Sequence, residues 1–193
     1  MLQRSTLFAA AIAFGAPVLA EVGEDGLHKQ DWFALTFKDV AEDMAAARED
    51  GKRLMLIFEQ RGCIYCAKLH EEILSDPEVR DFMDGAFMVV QYNLFGDEEV
   101  TDLDGATLTE KSAARRWGVV FTPTMIFLPD EAPEGGTVAQ AAAATMPGAF
   151  DRLTFLHMLR WVSENGPAGD EHFQSYHARL LAERRAAGER TSD

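Results

Sequence analysis

The sequence predicts an α/β sandwich with a mainly buried sheet. Two observations carry that class. Residues 54–58 and 87–92 form short, almost continuous apolar runs, and the stretches around them repeat apolar residues at helical spacing. A strand that is apolar at every position has both faces covered, and helices alternating with such strands supply the cover.

The elements follow in order. Residues 1–20 read as a secretory signal peptide rather than part of the fold: Arg4, then an apolar stretch over 7–16, then Val18-Leu19-Ala20 before a cleavage point. That stretch is too short for a membrane anchor, and residues 21–25 carry no basic stop-transfer flank. The mature chain is therefore expected from about Glu21, exported and soluble. Residues 31–50 read as an entry segment and helix, with Phe37, Val40, Ala41, Met44 and Ala47 on its apolar face and Gly51 as its stop. A strand over 54–58 leads through Gly62-Cys63 into a helix bearing Ala67, Leu69, His70, Ile73 and Leu74.

Pro77 opens a second short helix, and 87–92 is the second central strand. Residues 96–105 are acidic and rich in turn residues, as in a surface insertion, and Thr107-Leu108-Thr109-Glu110 has the pattern of a capping box for a helix to Trp117. Residues 119–128 hold a loop and a third strand, followed by a turn over 129–136. The alanine-rich stretch 137–146 favours helix by propensity, but its place between a turn and Pro147-Gly148 suits a strand, which is the assignment adopted. An amphipathic helix covers 150–162, a linker 165–169, and a charged helix 171–187. The domain division is a signal peptide (1–20), one domain (21–166) and a C-terminal helical extension (167–193).

The chain has 18 Lys and Arg against 32 Asp and Glu, a formal net charge of −14, and loses one further positive charge with Arg4. So acidic a surface argues against nucleic acid and anionic membranes as partners; it would favour basic protein partners, but solubility is the preferred explanation.

The only two cysteines are Cys63 and Cys66. A bridge closing so short a loop would constrain the unfolded chain by only about 2 kcal/mol, so the spacing favours a working dithiol over a staple. At a helix N-terminus, unpaired N–H groups and the macrodipole stabilise the Cys63 thiolate. His70, on the same helix face, raises a Cys/Cys/His metal site, but a fourth ligand is missing nearby and a partly exposed helix histidine is preferred. His172 and His177, five apart, have poor spacing for joint coordination and read as surface residues, and Met44, Met55 and Met146 read as packing. No metal is assigned.

The ordered set of a strand, Cys63-Ile64-Tyr65-Cys66, a helix, then Thr122-Pro123 before a strand and Gly148 before a helix resembles the thioredoxin fold. This resemblance implies a central mixed β-sheet flanked by helices, here with an N-terminal extension and an extra C-terminal helix. More narrowly, Phe58-Glu59-Gln60-Arg61-Gly62-Cys63-Ile64-Tyr65-Cys66, Leu94-Phe95-Gly96-Asp97-Glu98-Glu99-Val100-Thr101-Asp102 and Arg116-Trp117-Gly118-Val119 resemble the periplasmic SoxW-like thioredoxins associated with sulfur-oxidation gene clusters. The resemblance implies Cys63 as nucleophile, Cys66 as resolving cysteine, a cis Pro123, and a Thr122 backbone that pairs with the substrate chain. It also implies a redox-active disulfide as the sole cofactor, and protein disulfides or sulfur-modified cysteines of sulfur oxidation or cytochrome maturation as substrates. Electrons would come from a membrane thiol transporter of the CcdA type, and the protein would work as a monomer.

Two departures matter. Gly62 and Ile64-Tyr65 replace the Trp and Gly-Pro of the common Trp-Cys-Gly-Pro-Cys motif, which leaves the redox poise open. Ile57 stands where thioredoxins carry a buried Asp; Glu59, the nearest acid, is either its substitute in proton transfer or a structural residue. A disulfide-donating oxidant or isomerase, and a non-catalytic binding module or chaperone, remain the other readings.

Overall fold

The computed structural model describes residues 21–131 and 135–191, so the signal-peptide assignment lies outside the described residues. A four-stranded mixed sheet, ordered β4-β3-β7-β8, forms its centre. The strands are β3 (Arg53–Glu59), β4 (Phe87–Asn93), β7 (Thr124–Phe127) and β8 (Ala144–Pro147). β3 runs parallel to β4 and antiparallel to β7, and β7 is antiparallel to β8. Two short ribbons flank the sheet: β1 (Glu21–Val22) with β2 (His28–Lys29), and β5 (Glu99–Thr101) with β6 (Thr107–Thr109).

Alternation along β3 explains why every residue from Leu54 to Phe58 is apolar. Leu54, Leu56 and Phe58 pack with Val40, Met44, Tyr92 and Trp117 on one face, beneath α1 (Val40–Glu49) and α4 (Glu110–Arg116). Met55 and Ile57 pack on the other with Leu69, Met83, Phe155 and Leu159, beneath α2 (Ile64–Lys68), α3 (Pro77–Ala86) and α6 (Arg152–Ser163). Burying each such side chain stabilises the fold by roughly 1.5–3 kcal/mol before entropy is counted. The predicted sandwich, with its sheet covered on both sides, is the observed one.

Several local expectations are corrected. Helix α1 starts only at Val40, capped by the Asp39 carboxylate, and Phe37 projects into solvent at 95 % exposure. Lys38 has a positive φ of 57°, which breaks the helical register between Phe37 and Val40. The segment 96–105 is not merely a surface insertion: it contains β5, with Val100 buried, and the buried carboxylate of Asp102. Asp102 accepts hydrogen bonds from Trp117 Nε1 at 2.9 Å and from the Val138 N–H at 2.9 Å, and pairs with Arg116 at 3.1 Å. The capping box is formed by Thr109 with Ser112, two residues later than Thr107 with Glu110, because 107–109 pairs with β5 and the helix can begin only after it.

The stretch 137–146 splits. Thr137 and Gln140 form a capping box for the one-turn helix α5 (Val138–Ala141), and β8 then begins at Ala144 against β7. Alanine propensity and strand pairing each win over half the segment. The helix after Cys66 is also not uniform: α2 passes into a π-helical turn over Leu69–Ile73. His70 in that turn is fully buried, not partly exposed.

The C-terminal helix α7 (Phe173–Ala186) packs against α6. Phe173 lies against Trp161, the Tyr176 hydroxyl donates to Glu164 at 2.9 Å, and His177 meets His157. His177 is thus a half-buried interface residue rather than a surface one, while His172 is exposed at the helix start.

Candidate active site

β3 delivers the chain to the site and Gly62 turns it. Gly62 has φ of 71°, a left-handed conformation that lets the strand pass directly into α2 and that a side chain would strain. Cys63 caps α2, and its Sγ accepts the Cys66 N–H at 3.0 Å. This contact lowers the energy of negative charge on Cys63 sulfur. The two sulfurs are joined in a disulfide. Cys63 lies at the surface edge with 7 % exposure, whereas Cys66 is fully buried, so a partner reaches Cys63 first.

The Thr122-Pro123 bond is cis. The register Phe58↔Thr124 between β3 and β7 fixes this bond opposite the dithiol. The Thr122 carbonyl oxygen stands 3.6 Å from Cys63 Sγ, and the Thr122 hydroxyl donates toward the same sulfur at 3.4 Å. The Pro123 carbonyl is engaged by the Gly148 N–H at 2.7 Å, which ties the loop to the end of β8. Around the sulfurs stand exposed apolar side chains: Ile64 and Tyr65 between the cysteines, Val120 and Phe121 before the cis bond. Sequence reasoning found Ile64 and Tyr65 from the motif but missed Val120 and Phe121; their signal was the apolar run continuing back from Thr122.

Glu59, at the end of β3, is fully buried, and it is not solvated. Its carboxylate accepts from Gln91 Nε2 at 2.5 Å and lies 2.8 Å from His70 Nε2. His70 Nδ1 lies 3.0 Å from Gln30 Nε2, and Gln91 reaches the His28 carbonyl and Lys29 Nζ. Since an amide nitrogen only donates, Nδ1 is the acceptor and Nε2 carries the proton given to Glu59. Both ring nitrogens of His70 are therefore engaged within the protein. Among the described residues no cluster of three or more His, Cys, Asp or Glu is arranged to hold a metal ion. On the far side of this network a cleft of about 620 Å³ is lined by Lys29, Gln30, Phe33, Lys38, Gln91 and Glu110, among others, and not by the cysteines.

A disulfide capping a helix at the end of a central strand, faced by a cis-proline loop, defines a thioredoxin-fold protein with a thiol–disulfide site. The chain belongs to the thioredoxin-like domain family, which matches residues 40–160. A thioredoxin-like domain carrying this Cys-x-x-Cys disulfide is the make-up of a thiol–disulfide oxidoreductase.

Among solved structures, a thioredoxin from Thermus thermophilus is similar at 28% identity and a TM-score of 0.52, covering 69% of this chain and 90% of its own. A thioredoxin-fold protein from Helicobacter pylori is similar in fold at 17% identity and a TM-score of 0.59, covering 82% of this chain and 92% of its own. No curated protein matches the sequence.

Proposed function

We propose that the protein is a periplasmic thiol–disulfide reductase acting on disulfides or sulfur-modified cysteines of partner proteins. The observation that carries this reading is the placement of Cys63 sulfur, at the helix start and within 3.6 Å of the Thr122 carbonyl. A partner strand lying along Thr122 would present its own sulfur to Cys63. Cys63 thiolate attacks that sulfur, one thiol of the partner leaves, and the buried Cys66 closes the internal disulfide and frees the second product. The apolar collar of Ile64, Tyr65, Val120 and Phe121 suits a protein partner better than a small polar one.

The finer reading rests on the sequence. Residues 1–20 support export, and the motif resemblance supports partners of sulfur oxidation or cytochrome maturation and recharging by a membrane thiol transporter of the CcdA type. In this reading Cys63 and Cys66 are the sole redox cofactor, Thr122 and Pro123 position the substrate chain, and the protein works as a monomer.

The deciding experiment is the redox equilibrium of Cys63–Cys66 against a dithiothreitol or glutathione series. A potential well below the periplasmic oxidants fits a reductant; one near about −120 mV replaces it with a disulfide donor. Cys63→Ser removes disulfide reduction, and retention of full activity in that variant would instead mark a binding module. Sequencing the N-terminus of protein recovered from the periplasmic fraction checks the expected start near Glu21.

A further inference from the structure

Away from the collar around the dithiol, the most exposed large apolar side chains are Leu35, at 100 %, and Phe37. Exposure alternates over residues 34–38 as in a strand: Leu35 and Phe37 face out, while Ala34, Thr36 and Lys38 are half-buried. Thr36 turns inward, and its hydroxyl donates to Asp43. Both ends of the stretch are tied down. The Ala34 N–H donates to the Val89 carbonyl at 2.8 Å, on the outer edge of β4, and the Lys38 carbonyl accepts from the Thr101 N–H on β5 at 3.0 Å. Between these ties the backbone N–H and C=O groups of Leu35, Thr36 and Phe37 make no hydrogen bond among the described residues. A held stretch with open backbone groups and two apolar side chains on one face is a template for one more strand. Because it is already ordered, docking costs it little conformational entropy.

The charge beside this ledge says what fits there. Leu35 lines the cleft of about 620 Å³ together with Asp25, Asp31, Asp97, Glu98 and Glu110, against Lys29 and Lys38. Lys29 is paired with Asp25, Lys38 with Glu98 and Glu110, and Asp31 with Arg80. Asp97 is exposed and forms no ion pair among the described residues. The rim therefore keeps negative charge to offer. A second copy of this chain, with its net charge of −14, is repelled from it, whereas a basic segment is drawn in.

We propose that the Leu35–Phe37 ledge is a second docking site, which binds an extended segment of a partner protein carrying basic residues among apolar ones. The segment pairs its backbone with Leu35, Thr36 and Phe37 and lays apolar side chains beside Leu35 and Phe37. Its Lys or Arg meets Asp97 and Glu98. The cysteines do not line this cleft, so a partner held here leaves the dithiol free to react.

The test titrates the full protein with a short synthetic peptide of alternating valine and lysine, read by backbone amide NMR and by fluorescence anisotropy of a labelled copy. Binding is expected to move the amide signals of Leu35, Thr36 and Phe37 and to leave those around Cys63 in place. Leu35→Ser combined with Phe37→Ser is expected to weaken binding by about tenfold or more, with reduction of dithiobis-nitrobenzoate unchanged. Asp97→Asn weakens it by about threefold and lessens its sensitivity to salt. A peptide alternating valine with glutamate, and the valine–lysine peptide N-methylated along its backbone, both bind about tenfold more weakly. No binding at about 1 mM peptide overturns the proposal. So do signals that move only at the collar, or an N-methylated peptide that binds as well as its parent. Sedimentation that finds a dimer dissolved by Phe37→Ser also overturns it, because a second copy then occupies the ledge.

Discussion

His157 on α6 and His177 on α7 face each other Nδ1 to Nδ1 at 2.8 Å, which requires that one of the two rings be neutral. Burial pushes His157 down to about 4, helped by His177, Arg160 and Arg184 and opposed by Asp151. The native state therefore binds fewer protons than the unfolded chain between about pH 6.5 and 4. Stability is complete above that window and is lost as pH falls through it. Allowing for solvent screening, the loss should be about 1–2 kcal/mol, read as a falling Tm between pH 7 and 4.5. His157→Gln flattens that slope, and hydrogen exchange locates the early opening in α7.

Asp43 titrates in the opposite sense. Burial raises its carboxyl to about 6, against the Thr36 hydroxyl at 3.0 Å and with Asp39 and Glu42 adding to the rise. Here the native state holds the extra proton, so the group costs stability as pH climbs from about 4 to 6. Asp43→Asn keeps an acceptor for Thr36 and is expected to raise stability by about 1–2 kcal/mol at pH 7.5, with a smaller gain at pH 4. Paired denaturant titrations at the two pH values measure the difference.

The carboxylate of Asp102 joins α4, the start of α5 and the β5–β6 ribbon. Asp102→Ala leaves Trp117 Nε1, the Val138 N–H and the Arg116 guanidinium without that acceptor. A loss of about 3 kcal/mol follows from stranding such partners, and Asp102→Asn should lose less. Urea denaturation gives both values.

The apolar collar separates recognition from chemistry. Tyr65→Ala and Phe121→Ala are expected to raise KM for a folded protein disulfide by about three- to tenfold, with little change in rate toward a small aromatic disulfide. Equal losses on both substrates would place these residues in the chemical step instead.

Much of this architecture is written in local sequence. The runs at 54–58 and 87–92 become β3 and β4 because both faces of those strands are buried, and such burial leaves an unmistakable apolar record. The dithiol was legible from residue spacing, and the cis bond at Thr122-Pro123 only through the family resemblance. What stayed hidden depends on distant partners. Asp102 looks like one more turn acid until Trp117 and Val138 come to it, and His70 looks like a partly exposed helix histidine until Glu59 and Gln30, 11 and 40 residues away, enclose it. Phe37 misled because its spacing fits a helix whose register Lys38 interrupts. The split of 137–146 turned on a capping box, Thr137 with Gln140, overlooked amid a run of alanines.

The pairing of Cys63 with Cys66 also simplifies the birth of this molecule. With two cysteines in all, the chain has one possible internal disulfide, so oxidative folding has no wrong internal isomer to correct. Each covalent error must join two molecules, and it therefore appears as added mass on a non-reducing gel. Quality control of the newly made protein reduces to counting chains.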